Sequence, residues 1–148
     1  MKTRRINVRG IIFNQGKLLL TKFRQEDGSE SKNWGTFGGG LDPGESIQDG
    51  LRREMIEETG ITPRIGKLLF IDQFEDKEKE YLQFFFYIEN TKDYDIVDLE
   101  ATSHGILELT TSAYVDPSTE YVLPSFLSTI DIEKAINSDQ PTFINSEL

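Results

Sequence analysis

The sequence contains no cysteine. Disulfides, thiolate metal centres and a cysteine nucleophile are therefore excluded, and the composition suits a reducing, cytoplasmic compartment. Long apolar runs are also missing. Basic residues precede an apolar patch at the N-terminus, but Asn14, Gln15, Gly16 and Lys17 interrupt it short of a signal or spanning segment, so no membrane segment is expected. Positive charge is scarce: 16 lysines and arginines face 26 aspartates and glutamates, a net charge of −10. Generic binding to nucleic-acid backbones, which lysine and arginine drive by neutralising phosphates, is thereby disfavoured. An anionic ligand would need a cation to mediate, and bound magnesium can reverse the electrostatics of an acidic pocket. The 148 residues are sized for one domain, 1–148, with its own hydrophobic core.

What is present reads first as strands. RINVRGIIF and LLLTKF flank the turn NQGK and predict a hairpin; TPRIGKLLFIDQF and KEYLQFFFYIEN flank the charged EDKEKE and predict a second. FRQEDGSESKN is a surface loop leading into WGTFGGG, whose glycines mark unusual or closely approached backbone. ILELTTSAYV predicts a short last strand, and PSFLSTIDIEKAIN a closing helix with Pro124 in its first turn. Strands on both sides of a central helix, with another helix at the end, predict an α/β sandwich with a central mixed sheet between helices.

The chemistry concentrates in GGGLDPGESIQDGLRREMIEETGI, residues 38–61. Ser46, with Asp49 three residues later, resembles a capping box, and Gly60 suits a left-handed C′ position from which Ile61 folds back on Ile56 in a Schellman closure. A helix over about 46–59 follows, anchored by the stripe Ile47, Leu51 and Met55. Glu54, Glu57 and Glu58 lie three and four apart on a neighbouring face near solvent, so three carboxylates can converge on one point. An oxygen-loving dication such as Mg2+ would relieve their repulsion; the competing reading is an ordinary solvated acidic face.

Gly39, Glu45, Arg53-Glu54-Met55, Glu57-Glu58 and Gly60-Ile61 match G-x5-E-x7-R-E-U-x-E-E-x-G-U at every defined position. Chance recurrence is on the order of one in ten million at ordinary residue usage. The chain thus resembles the Nudix hydrolases, and the resemblance extends to the order of the strands, the tryptophan before the glycines and the C-terminal helix. Phe37, where many relatives carry proline, and Gly50, where alanine is common, depart from the pattern.

The resemblance implies a Nudix-like α/β/α sandwich and hydrolysis of the pyrophosphate bond in a nucleoside diphosphate linked to another group. The cofactor it implies is Mg2+, with Mn2+ as a substitute. It implies Glu54, Glu57 and Glu58 as metal ligands with the Gly39 carbonyl, and Arg53 with Glu45 as a supporting pair that clamps the glycine loop. A general base outside the box falls to Glu100, then Glu108, then Glu120, with Glu57 as the alternative inside it. Glu108 is expected in a strand, its direction fixed by alternation. Lys22 resembles a substrate-contacting strand position. The lone histidine, His104, reads as an exposed loop residue.

The partner expected is a small nucleotide or nucleotide conjugate; a homodimer is left open. Asp76, Lys77 and Glu78 stand where some relatives carry a proline or tyrosine that marks the substrate, so the substrate class stays open. Trp34, Phe74, Phe84 and Phe86 are base-stacking candidates, against a core reading for strand aromatics. A catalytically silent nucleotide-sensing Nudix domain is the alternative function, although every box position is kept. An isopentenyl-diphosphate isomerase-like activity, which relies on cysteine, is rejected.

Overall fold

The computed structural model describes residues 1–148. Eight strands and three short-to-medium helices follow the chain as β1 (Thr3–Ile11), β2 (Phe13–Asn14), β3 (Lys17–Phe23), β4 (Phe37–Gly40), α1 (Ile47–Thr59), β5 (Ile65–Glu75), β6 (Lys79–Ile88), α2 (Gly105–Glu108), β7 (Leu109–Val115), α3 (Ile132–Asn137) and β8 (Phe143–Ser146). A five-stranded sheet runs β4-β1-β6-β5-β8 and a three-stranded sheet runs β2-β3-β7. The larger sheet is mixed, because β1 is parallel to β6 and antiparallel to β4, and β8 is parallel to β5. This is the expected α/β architecture. None of the helices is long and apolar enough to cross a membrane.

The sheet is buried on both faces, which explains why its strands lack clean polar alternation. Val8, Phe37, Leu51, Met55, Phe86 and Ile88 form the core under α1. Ile11, Phe70, Phe85, Phe126, Leu127 and Ile132 form the core on the opposite face, under α3 and the 3-10 turn Ser125–Ser128.

Helix α1 matches its sequence signals. Ser46 Oγ accepts from Asp49 N at 3.1 Å, and Gly60, at φ 74°, donates its N–H to Ile56 O. The closure is the simpler left-handed motif and not a Schellman one: Ile61 N bonds Thr59 Oγ1 at 3.1 Å, and Ile56 stays 40% exposed.

Three expectations change. The first hairpin is only β2–β3, turning at Gln15 and Gly16; β1 leaves it for the centre of the larger sheet, where a long strand buried on both faces finds two partners. The second hairpin, β5–β6, forms as expected. The closing helix is broken: Ser128 and Thr129 hydroxyls take the carbonyls of Ser125 and Phe126, and Asp131 starts α3 afresh by capping Lys134 N at 3.0 Å. Finally, β8 was not anticipated; its Phe143 and Ile144 are largely exposed, and it is held at the sheet edge by polar contacts such as Asn145 Nδ2 to Asp72 Oδ1, 2.9 Å.

Candidate active site

The end of β4 and the length of α1 bring the box residues together through one arginine. Arg53 Nε and Nη2 grip Glu45 at 2.8 and 2.9 Å, Nη2 also reaches Gly40 O at 3.1 Å, and Nη1 reaches Glu54 and Glu57 at 3.1 and 3.3 Å. A guanidinium has five N–H donors in a fixed fork, and this set occupies them. Asp42 N adds a third hydrogen bond to Glu45. Arg53, and after it the Asp42 amide, hold the Glu45 carboxyl down at about 2, while Arg53 itself is raised by the same pairing. Arg52 faces outward to Asp49.

Glu58 is not near solvent as expected. It is 2% exposed, and its Oε1 accepts from Gly38 N at 2.7 Å. Burial pushes its carboxyl up to about 8; Gly38 N–H and Arg9 oppose the shift, and the charges of Glu54 and Glu108 add to it. Burial likewise raises Glu54, against the pull of Arg53 and with the push of Glu57 and Glu108. The backbone must come close for this. Gly38 has φ 135° and a Cβ there would strike Val8 O, while a Cβ on Gly39 would lie 2.7 Å from the Glu54 carboxylate.

The three box glutamates do not converge as a ready coordination shell: no three acidic or imidazole groups stand around one point. Each has turned to a donor on its own side, Glu54 and Glu57 to Arg53, Glu58 to Gly38 N, and Glu57 also to His104 Nδ1 at 3.0 Å. In type and place they nevertheless fit a hard dication. The donors are all oxygen, two of the carboxylates are held in low-dielectric surroundings against mutual repulsion, and the backbone of Gly39 passes close against Glu54.

Of the base candidates, the structure brings Glu108 to the box. It ends α2, not a strand, because His104 N bonds Glu57 O at 3.0 Å and Gly105 packs against Glu58 O, tying this turn to the end of α1. Glu100 lies on the exposed 3-10 turn Leu99–Ala101 and Glu120 is exposed beyond β7; the carboxylate of Glu108 is exposed too, and none of the three bonds a box residue, but the charge of Glu108 acts on Glu54 and Glu58. Lys22 is engaged by Glu30 at 3.6 Å and sits 5.0 Å from the Trp34 ring centre. His104 was undervalued, since no local pattern announces its contact with Glu57. Arg9 was missed. It is partly buried by the sheet, and this desolvation lowers its proton affinity; it donates to Thr36 O, Gly38 O and Gln83 Oε1. An arginine inside the apolar strand run RINVRGIIF was the available signal.

Beside Arg9 opens a cavity of about 360 Å3, lined among others by Trp34, Phe74, Asp72 and Gln83. The four aromatic candidates thus divide: Trp34 and Phe74 face this cavity, whereas Phe86 is in the core and Phe84 packs against it.

The family model described as NUDIX domain matches residues 3–124. The chain is 46% identical over 50 residues to the nucleoside triphosphatase NudI of Escherichia fergusonii, a stretch covering 34% of this chain and 36% of that protein. The match to the Enterobacter protein of the same name is 44% over 50 residues, again 34% of this chain and 36% of the relative. The chain therefore spans about a third of the length of these curated relatives. Among solved structures, the MutT protein of Methanosarcina mazei Go1 superposes with TM-score 0.69 at 25% identity, over 95% of this chain and 98% of that one. An ADP-ribose pyrophosphatase of Streptococcus suis gives TM-score 0.62 at 18% identity, over 95% and 98%.

Proposed function

The chain belongs to the Nudix family, and from that premise we propose that it hydrolyses the phosphoanhydride bond of a nucleoside triphosphate or related nucleotide conjugate. The observation that carries this reading is the complete box, Glu45, Arg53, Glu54, Glu57 and Glu58, folded against the glycine run with Glu108 added from α2. Relatives named as nucleoside triphosphatase support the triphosphate as the first substrate to try.

Nudix hydrolases generally use divalent metal ions. Here Glu54, Glu57, Glu58 and the Gly39 carbonyl would hold the ion, with Mg2+ suited to the all-oxygen set and Mn2+ as a substitute. Bound there, it neutralises phosphate charge and makes water a better nucleophile. The protein's own part is placement. Arg53 clamps Glu45 and Gly40 O, which fixes the glycine loop over α1 and keeps Glu54 and Glu57 at its other end. Glu108 takes the proton of the attacking water, a role supported by its approach to Glu54 and Glu58; Glu100 and Glu57 are the comparison arms.

The test is cleavage with Mg2+, read as phosphate or pyrophosphate released from nucleoside triphosphates and oxidised nucleotides and as nucleotide and phosphomonoester products from sugar nucleotides, dinucleoside polyphosphates and ADP-ribose, with Glu58→Gln as the negative control. Turnover lost in the control supports the reading. Binding without turnover in the wild type would replace it with the silent, ligand-sensing alternative.

A further inference from the structure

The cavity beside Arg9 has a polar floor assembled from four strands, and the hydrogen bonds there have a fixed polarity. Gln83 Oε1 accepts from Arg9 Nε at 3.2 Å and from Asn7 Nδ2 at 3.3 Å. Arginine offers only donors, so the amide oxygen of Gln83 must face it, and its Nε2 must face the other way. There it donates to Asp72 Oδ2 at 3.3 Å, while Asn145 Nδ2 from β8 donates to Asp72 Oδ1 at 2.9 Å. Asp72 is 1% exposed and lines the cavity. A carboxylate can accept about four hydrogen bonds, and these two leave one on each oxygen. No arginine or lysine pairs with it.

The walls suit a flat ligand. Phe74 stacks on Tyr81 with ring centres 4.6 Å apart and planes 8° apart, leaving its opposite face available. Trp34 has the Lys22 ammonium 5.0 Å from its centre, which orients the ring in the same manner. A volume of about 360 Å3 lies within the range of small-molecule sites, roughly 300–1,000 Å3. Arg9 joins cavity and box: the guanidinium that fixes Gln83 also holds Gly38 O, and Gly38 N holds Glu58.

We infer that this cavity receives the base of the nucleotide and that Asp72, oriented by Asn145 and Gln83, selects bases carrying an amino group. The inference rests on the proposed nucleotide hydrolysis for its ligand class. Two adjacent donors, as on the N1–H and amino edge of guanine, span both carboxylate oxygens; one amino group, as on cytosine or adenine, fills one. Uracil and thymine offer a single ring N–H flanked by carbonyl oxygens, which would face the carboxylate unfavourably. A buried acceptor left without a donor is costly, so the discrimination is strong where the site is dry.

Trp34 is the only tryptophan, and its fluorescence reads occupancy of this cavity without metal or turnover. The full chain in chelator is titrated with guanosine, cytidine, uridine and thymidine. Saturable quenching by guanosine and cytidine, at least about tenfold tighter than by uridine and thymidine, is expected from one charge-assisted hydrogen bond. Asp72→Asn, which trades an acceptor for a donor, should remove that preference. Asn145→Ala, on an edge strand, should weaken guanosine several-fold and leave uridine unchanged, which keeps the test open if Asp72→Asn does not fold. Equal quenching by all four nucleosides, or none at any, overturns the inference. Turnover of triphosphates with equal quenching sinks this inference alone; selective quenching without turnover sinks the hydrolase reading alone.

Discussion

Replacing Gly50 by alanine sets two calculable effects against each other inside α1. Helix propensity favours alanine over glycine by about 1 kcal/mol at an interior position. The structure opposes it: an added Cβ would overlap Leu41 Cδ2 and lie 2.9 Å from Glu45 Oε1. Overpacking of this kind costs roughly 1–3 kcal/mol. The leucine methyl is the yielding end of a half-buried side chain, but Glu45 is not free to move, because that same oxygen accepts from Arg53 Nη2 and Asp42 N. We expect the clash to win by about 1 kcal/mol, lowering Tm by roughly 2–4 °C in a chain of this size. Turnover should fall with it, since the added carbon presses on the Arg53 clamp. The assay is a thermal melt by circular dichroism beside initial rates, with Leu41→Ala and the double variant completing a cycle. The double variant should be more stable than the sum of the singles by about 0.5 kcal/mol or more. A rise in Tm for Gly50→Ala would show that propensity dominates and that glycine is not required there by close approach.

The other expectations concern the carboxylates. Arg53→Ala should lower both Tm and kcat, because it leaves Glu45 unpaired and frees the glycine loop; an unchanged melt refutes the clamp. Chelation should abolish turnover until Mg2+ or Mn2+ is restored, and full activity in excess chelator would end the metal-dependent reading. In chelator, Tm should fall as pH rises from about 5 to 8.5: burial pushes Glu58 up to about 8 from the ordinary carboxylate value of 4.5, so the folded state holds the extra proton in that window and loses its advantage as pH passes 8. Glu58→Gln should flatten that fall and reduce kcat by orders of magnitude; a parallel pH slope in both proteins contradicts it. Glu108→Gln should lower kcat by about a hundredfold or more while Glu100→Gln stays within about twofold, and the reverse pattern would move the base to Glu100.

The parts of this structure that a reader of the sequence obtains are those written in adjacent residues. Ser46 and Gly60 mark both ends of α1, the four-residue stripe Ile47, Leu51 and Met55 marks its buried side, and the box spacing marks the chemistry. Signals fail where partners are distant. Asn7, Arg9, Asp72, Gln83 and Asn145 share one hydrogen-bonded floor across more than a hundred positions of chain, and each alone looks like a polar residue on a strand. The same applies to β8, whose exposed Phe143 and Ile144 carry no alternation because edge pairing with β5 holds the strand. Glu108 misleads for a different reason: ILELTT has strand composition, but the bond from His104 N to Glu57 O winds the preceding residues into a helical turn.

The two buried-side arginines divide the electrostatics of the site, and the division accounts for where negative charge is left over. Arg53 spends its five donors on Glu45, Gly40 O, Glu54 and Glu57. Arg9, although close enough to lower the proton affinity of Glu58, spends its hydrogen bonds on Gln83 and on the carbonyls of Thr36 and Gly38. Glu58 is therefore left with one backbone N–H and with two like charges, Glu54 and Glu108, pressing on it. A guanidinium at Glu58 would fill the place proposed for a cation and phosphate oxygens; a guanidinium turned to the sheet leaves that place open and fixes the orientation of Gln83 instead. One arginine thus keeps the carboxylate centre short of positive charge and sets the polarity of the cavity floor, so on the proposed reading the phosphate end and the base end of a nucleotide would both be governed through Arg9 from a single strand.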